Sequence, residues 1–93
     1  MSNLRNNTFG ESISILAQKN YTEFIAPNDG YLTIYCGDSN GYVRVGINTI
    51  GTYLLDTIPN SAYKFSSVFM RKGTRVYIIG DGTSGCYFFT ALI

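Results

Sequence analysis

The chain contains no histidine and no tryptophan, and only 14% of its residues are charged. Without an imidazole, a serine or cysteine nucleophile lacks its usual activating base. The lysines do not replace it, because Lys19, Lys64 and Lys72 fall in turns or on polar strand faces beside no evident partner. Two cysteines, Cys36 and Cys86, are too few for a disulfide framework and too far apart for a CxxC site. Each sits in an apolar run and reads as a small core hydrophobe. A bridge between them requires that their strands be neighbours. No apolar run approaches the roughly 18 residues of a membrane span. Met1 to Thr8 has no apolar signal core, so nothing in this segment routes the chain through a secretory membrane. The net charge is +1 and the only adjacent cations are Arg71 and Lys72, so there is no basic stripe for nucleic acid.

Carboxylates are equally sparse. Of Glu11, Glu23, Asp29, Asp38, Asp56 and Asp81, four lie in expected turns or in the N-terminal segment. There the short acidic side chain serves turn geometry. Asp38-Ser39-Asn40-Gly41 has a faint likeness to a calcium loop, but the further carboxylates and the closing Glu are missing. These shortages point to a chain that is not an enzyme and needs neither cofactor nor metal.

What the sequence does have is short runs of strand formers closed by turn residues. Ninety-three residues make one domain. Apolar residues make up 45%, yet a chain of this length buries only about 60–65% of the surface it exposes unfolded. Low charge on so small a body is met either by a polar surface of Ser, Thr, Asn and Tyr or by burial against identical copies. Residues 1–11 are Asn-rich and read as an extended arm. Residues 12–93 carry eight strand-like runs and no helical period.

Ile13 and Ile15 alternate with serines, and Tyr21–Ile25 turns Phe24 inward. Pro27-Asn28-Asp29-Gly30 is a tight turn. In the next run Leu32, Ile34 and Cys36 share the inner face, opposite Tyr31, Thr33 and Tyr35. Asn40-Gly41 is a strong hairpin signal, and Val43, Val45 and Ile47 are expected to point inward after it. Further runs follow at 52–58, up to Met70, and over 74–79, separated by Pro59-Asn60 and Arg71-Lys72-Gly73. Eight strands with turns every 8–12 residues fit an antiparallel β-sandwich, and the even count fits a jelly roll.

The last run, 86–93, is apolar on both faces: Phe88 and Leu92 on one, Tyr87, Phe89, Ala91 and Ile93 on the other. A strand apolar on both faces is covered on both sides. One face meets the core, and a second subunit is the simplest cover for the other. Tyr87, Phe89, Ala91 and Ile93 are therefore the expected interface between subunits. Of the eight tyrosines, Tyr31, Tyr35, Tyr42, Tyr53, Tyr77 and Tyr87 fall mostly opposite the expected core and suit protein contacts or sugar stacking. A ligand or receptor is expected at the loops 37–41 and 80–85, through Asp38, Ser39, Asn40, Asp81, Thr83 and Ser84. A carbohydrate-binding module and a monomeric domain of a cell-surface protein are the competing readings.

Ala26-Pro27-Asn28-Asp29-Gly30-Tyr31 leading into an alternating strand, Arg71–Ile78, and the aromatic final strand resemble phage fibre modules over residues 12–93. Those modules are small trimeric jelly rolls related in fold to the C1q and tumour-necrosis-factor domains. The resemblance implies a homotrimer on the virion surface, made in the host cytoplasm: a head fibre, a capsid decoration or a tail-fibre tip engaged in host attachment. Only about a dozen residues precede the first strand, so the long shaft usual before such heads is missing from this sequence. The arm, with Leu4, Arg5, Asn6 and Phe9, is then expected to dock the module to another virion protein. A host-surface glycan is a further expected contact. Nucleic acid and membrane insertion are not.

Overall fold

The computed structural model describes residues 13–38, 40–57 and 64–92. The arm at 1–11, Ser39 and Ile93 lie outside the described residues. Eight strands are present among those described: β1 (Ile15–Leu16), β2 (Thr22–Ile25), β3 (Gly30–Cys36), β4 (Val43–Gly46), β5 (Tyr53–Asp56), β6 (Lys64–Met70), β7 (Arg75–Gly80) and β8 (Gly85–Ala91). They form two four-stranded antiparallel sheets, ordered β1-β8-β3-β6 and β2-β7-β4-β5. The chain is an all-β sandwich. No helix among the described residues is long and apolar enough to cross a membrane.

Period-2 alternation sets the core. Leu32 and Ile34 of β3 are fully buried, as are Val43 and Val45 of β4 and Val76 and Ile78 of β7. Phe24, Leu55, Val68 and Phe89 pack against this cluster. Complete burial of one such aliphatic side chain contributes roughly 1.5–3 kcal/mol. Thr57 is one of two buried polar residues among those described, with Thr33, and its reason is local. Its hydroxyl accepts from Val43 N–H at 2.8 Å and donates to Val43 C=O at 3.0 Å. The side chain thereby adds to the backbone bond from Thr57 N–H to Val43 C=O at 3.2 Å and pins the start of β4 from both of its polar groups.

Two expectations fail for physical reasons. Asn40-Gly41 does not close a hairpin, because β3 and β4 belong to different sheets and the chain crosses between layers there. Instead Asp38 organises the turn: Asn40 N–H donates to its carboxylate at 2.9 Å, and Gly41 N–H to its carbonyl at 3.0 Å. Among the described strands, only β4 and β5 are consecutive and paired with each other. Ile47 is 51% exposed rather than inward. The register shifts between Val45 and Gly46, and an irregularity of that kind breaks the alternation beyond it.

The turns are stitched across the sandwich. Asp29 accepts from Lys72 N–H at 2.8 Å through its side chain, and from Leu92 N–H at 2.8 Å through its carbonyl. Gly73 N–H donates to Ala26 C=O at 2.8 Å. The turns at 26–30 and 71–73, far apart in sequence, are one corner of the fold. Gly73 has φ +87°, a conformation in which a side chain is strained.

Candidate functional site

Three places collect the side chains from which function can be read: the loop end at 37–41 and 81–85, and the outer face of each sheet.

At the loop end, the structure brings together the two segments expected to bind a ligand. Gly41 lies where any side chain would strike Ser84, Cys36 and Asp81. The polar groups there are engaged with one another. The Asp81 carboxylate accepts from the backbone N–H of Thr83 (3.2 Å), Ser84 (2.9 Å) and Gly85 (2.9 Å) and from the hydroxyls of Thr83 (3.0 Å) and Ser84. Desolvation pushes its pKa up, but these donors outweigh it and hold the carboxyl well below the usual carboxylate range. The Asp38 and Asp81 carboxylates and the Thr83 and Ser84 hydroxyls therefore help build the loops, and Asn40 joins them through its backbone N–H. Cys36 Sγ lies 3.4 Å from Ser84 Oγ and donates to Asp38 C=O at 3.3 Å. Among the described residues no group of three His, Cys, Asp or Glu is placed to hold a metal ion.

The cysteine question is settled by register. β3 and β8 are neighbours, with Cys36 opposite Gly85 and Tyr35 opposite Cys86. The two cysteines are one ladder position apart, so they point to opposite faces. Both are free thiols.

Alternation also decides the final strand. Tyr87 is 6% exposed and belongs to the core, and Phe89 packs against it. Both were expected at a subunit interface. They instead point into the sandwich, because they stand opposite Ile34 and Leu32. Ala91 follows them on the inner side, half-buried.

The face of β8 that points outward carries Cys86, Phe88 and Thr90. With β3 and β6 these form three rows: Phe69–Tyr31–Thr90, Ser67–Thr33–Phe88 and Phe65–Tyr35–Cys86. None of these residues is charged. Phe65 is 66% exposed, Phe69 46% and Tyr31 44%. Thr33 Oγ1 and Ser67 Oγ satisfy each other at 2.7 Å in the centre of the grid. Tyr31 packs edge-on to Phe69, with centroids 5.5 Å apart, and Tyr35 against Phe88 at 6.1 Å. Tyr35 donates to Ser14 Oγ at 2.9 Å.

The outer face of the second sheet is built differently. Arg44 projects from β4 with its guanidinium carbon 5.4 Å from the centroid of the Tyr42 ring and 4.9 Å from that of Tyr53. Its Nε donates to Asp56 Oδ1 at 3.1 Å and its Nη1 to the Tyr53 hydroxyl at 3.4 Å. The Tyr21 and Tyr53 hydroxyls are 3.3 Å apart. The hydrogen bonds from Tyr21 and Arg44 draw the Tyr53 phenol below its usual pKa, and the same contact raises that of Tyr21. Arg75 and Glu23 add a second ion pair at 2.9 Å.

Tyr42 and Arg44 share a face by their spacing of two. Tyr53 and Asp56 join them only through the β4–β5 register, with Asp56 opposite Arg44 and Tyr53 opposite Gly46.

Compared with known proteins, the chain matches no family model, no curated protein and no solved structure.

Proposed function

We propose that this chain is a non-enzymatic structural and receptor-binding module, a homotrimeric jelly roll on the surface of a phage virion. It serves as a head fibre, capsid decoration or tail-fibre tip, and residues 1–11 attach it to another virion protein. One feature of the fold supports the jelly-roll part of the reading. The strand pairs β1–β8, β2–β7, β3–β6 and β4–β5 are nested along the chain. Such nesting arises when one long antiparallel ribbon is wrapped into two sheets.

The observation that carries the assembly part is the uncharged aromatic grid on β8, β3 and β6. An apolar sheet face left in water is a cost that a small domain removes by association. The occupant that fits is another copy of this chain. A face without charge has no like charges to oppose when it meets its own kind, and its central hydroxyls, Thr33 and Ser67, are already satisfied. The virion assignment rests on the resemblance of 26–31, 71–78 and the last strand to phage fibre modules.

Light scattering of the purified full chain tests the assembly. The expected mass is three times the 10.3 kDa of one chain. A mass of one chain across a wide concentration range would remove the reading. The attachment role is tested by deleting residues 2–10. The expected result is a trimer that no longer enters particles, and incorporation at normal occupancy would discard the arm as the anchor.

A further inference from the structure

We infer that Tyr21, Tyr42, Arg44 and Tyr53, on the outer face of the β2-β7-β4-β5 sheet, form a binding site for a neutral hexopyranose. This deepens the receptor-binding reading above and rests on it only in leaving this face outward; the uncharged grid lies on the other sheet.

The argument starts from what holds Arg44. Its guanidinium lies 5.4 and 4.9 Å from the centroids of two tyrosine rings, and two of its donors engage Asp56 and Tyr53. A guanidinium has five N–H groups, so the side chain keeps donors beyond those two. The pose is fixed before a ligand arrives, which lowers the ordering cost of binding. The three tyrosines are half-buried. Each offers an apolar ring and, in Tyr21 and Tyr53, a hydroxyl already placed in a network (3.3 Å) that reaches Arg44. Pyranose rings need this combination: a flat apolar surface for C–H groups, flanked by donors and acceptors for hydroxyls.

Charge selects the class. Arg44 is neutralised by Asp56, and Arg75, four residues along β7 from the position opposite Arg44, by Glu23. No net field draws an anion to this face, and an acidic sugar would have to compete with Asp56 for the guanidinium. The neutral sugar meets hydrogen-bonding groups without that opposition. The site is also distinct from the loops at 37–41 and 81–85, whose side-chain acceptors serve the loops themselves.

Saturation-transfer NMR on the full chain is the test. The panel is methyl glucoside, galactoside and mannoside, their common disaccharides, and N-acetylneuraminic acid as the acidic probe. Transfer to at least one neutral pyranoside is expected, weakened about tenfold in Tyr53→Ala and in Tyr42→Ala. Lys72→Ala, an exposed residue of the turn at 71–73, should leave it unchanged. Tyr53→Phe keeps the ring and should weaken binding less than Tyr53→Ala, which guards against a loss of fold being mistaken for a loss of site. No transfer to any neutral pyranoside, transfer to the acidic sugar alone, or transfer indifferent to both alanine substitutions would each overturn the site. Light scattering on the same samples separates the two ideas: a trimer without saccharide binding sinks this inference alone, and binding by a monomer sinks the assembly alone.

Discussion

The two outer faces of the sandwich are made by the same alternation and have opposite chemistry. On β8, β3 and β6 the outward residues are aromatic, hydroxyl or thiol, and none is charged. On the second sheet the outward residues include Arg44, Asp56, Arg75 and Glu23 in two ion pairs, with tyrosines around the first. Low overall charge is therefore concentrated rather than evenly diluted. Glu23, Arg44, Asp56 and Arg75, strand residues of the second sheet, sit where water can reach them, and the grid of the first sheet is a face that water solvates poorly. In a module that hides one face and shows the other, the two faces are expected to diverge in this way.

Adjacent residues of β8 give the sharpest way to break this comparison. Phe89 packs against the core, so Phe89→Asp buries an unpaired carboxylate at a cost of several kcal/mol. The expected outcome is loss of the folded state, read as loss of cooperative thermal unfolding. Phe88 stands one position along on the outer grid. Phe88→Asp should keep the far-ultraviolet spectrum of strands and reduce the light-scattering mass toward one chain. If Phe88→Asp stays trimeric, the grid is not the interface.

The sandwich was legible because alternation and turn residues are local. Leu32, Ile34, Val43 and Val45 were placed inward and are fully buried. Register was not legible, because it depends on which strands meet. The Asn40-Gly41 hairpin failed for this reason, since an identical dipeptide also serves a crossing between sheets. The assignment of Tyr87 and Phe89 to an interface had a similar origin. A strand apolar on both faces says that both are covered, but not which cover is the core. Arg44 and Asp56 lie twelve residues apart and meet only through pairing, so the outer cluster had no sequence signal beyond the Tyr42–Arg44 spacing. The irregularity at Val45/Gly46, beyond which Ile47 points outward, is marked in the sequence only by the strand glycine itself.

Effects of intermediate size should come from groups that serve neither face. Thr57→Val preserves shape but leaves Val43 N–H without its side-chain acceptor, and a buried orphan donor costs about 1–3 kcal/mol. The expected reading is a lower denaturant midpoint with an unchanged slope and an unchanged mass. Asp81 makes the fold acid-sensitive. Its folded pKa is held below that of the unfolded chain, so its contribution is present above about pH 4 and fades as pH falls through the folded value. Thermal midpoints of the wild type should drop in that acid range. Asp81→Asn should be less stable at neutral pH and flatter below pH 4. A parallel pair of curves would show that the loop carboxylate is not the cause.

The smallest effect is expected where the charges are. The Arg75–Glu23 pair is short, at 2.9 Å, but both side chains are about half exposed. Pairs of this kind contribute roughly 0–1 kcal/mol, and salt screens them. Arg75→Ala should shift the denaturant midpoint within that range, and less at about 1 M salt than at low ionic strength. The same salt series bears on the other face. An interface without charge has nothing to screen, and salt that favours apolar burial does not weaken it. Mass by light scattering should therefore hold from low to high salt while the Arg75→Ala effect shrinks. If the assembly instead dissociates as salt rises, charged groups hold the copies together. The interface would then lie on the charged face, and the division of roles between the two sheets would be reversed.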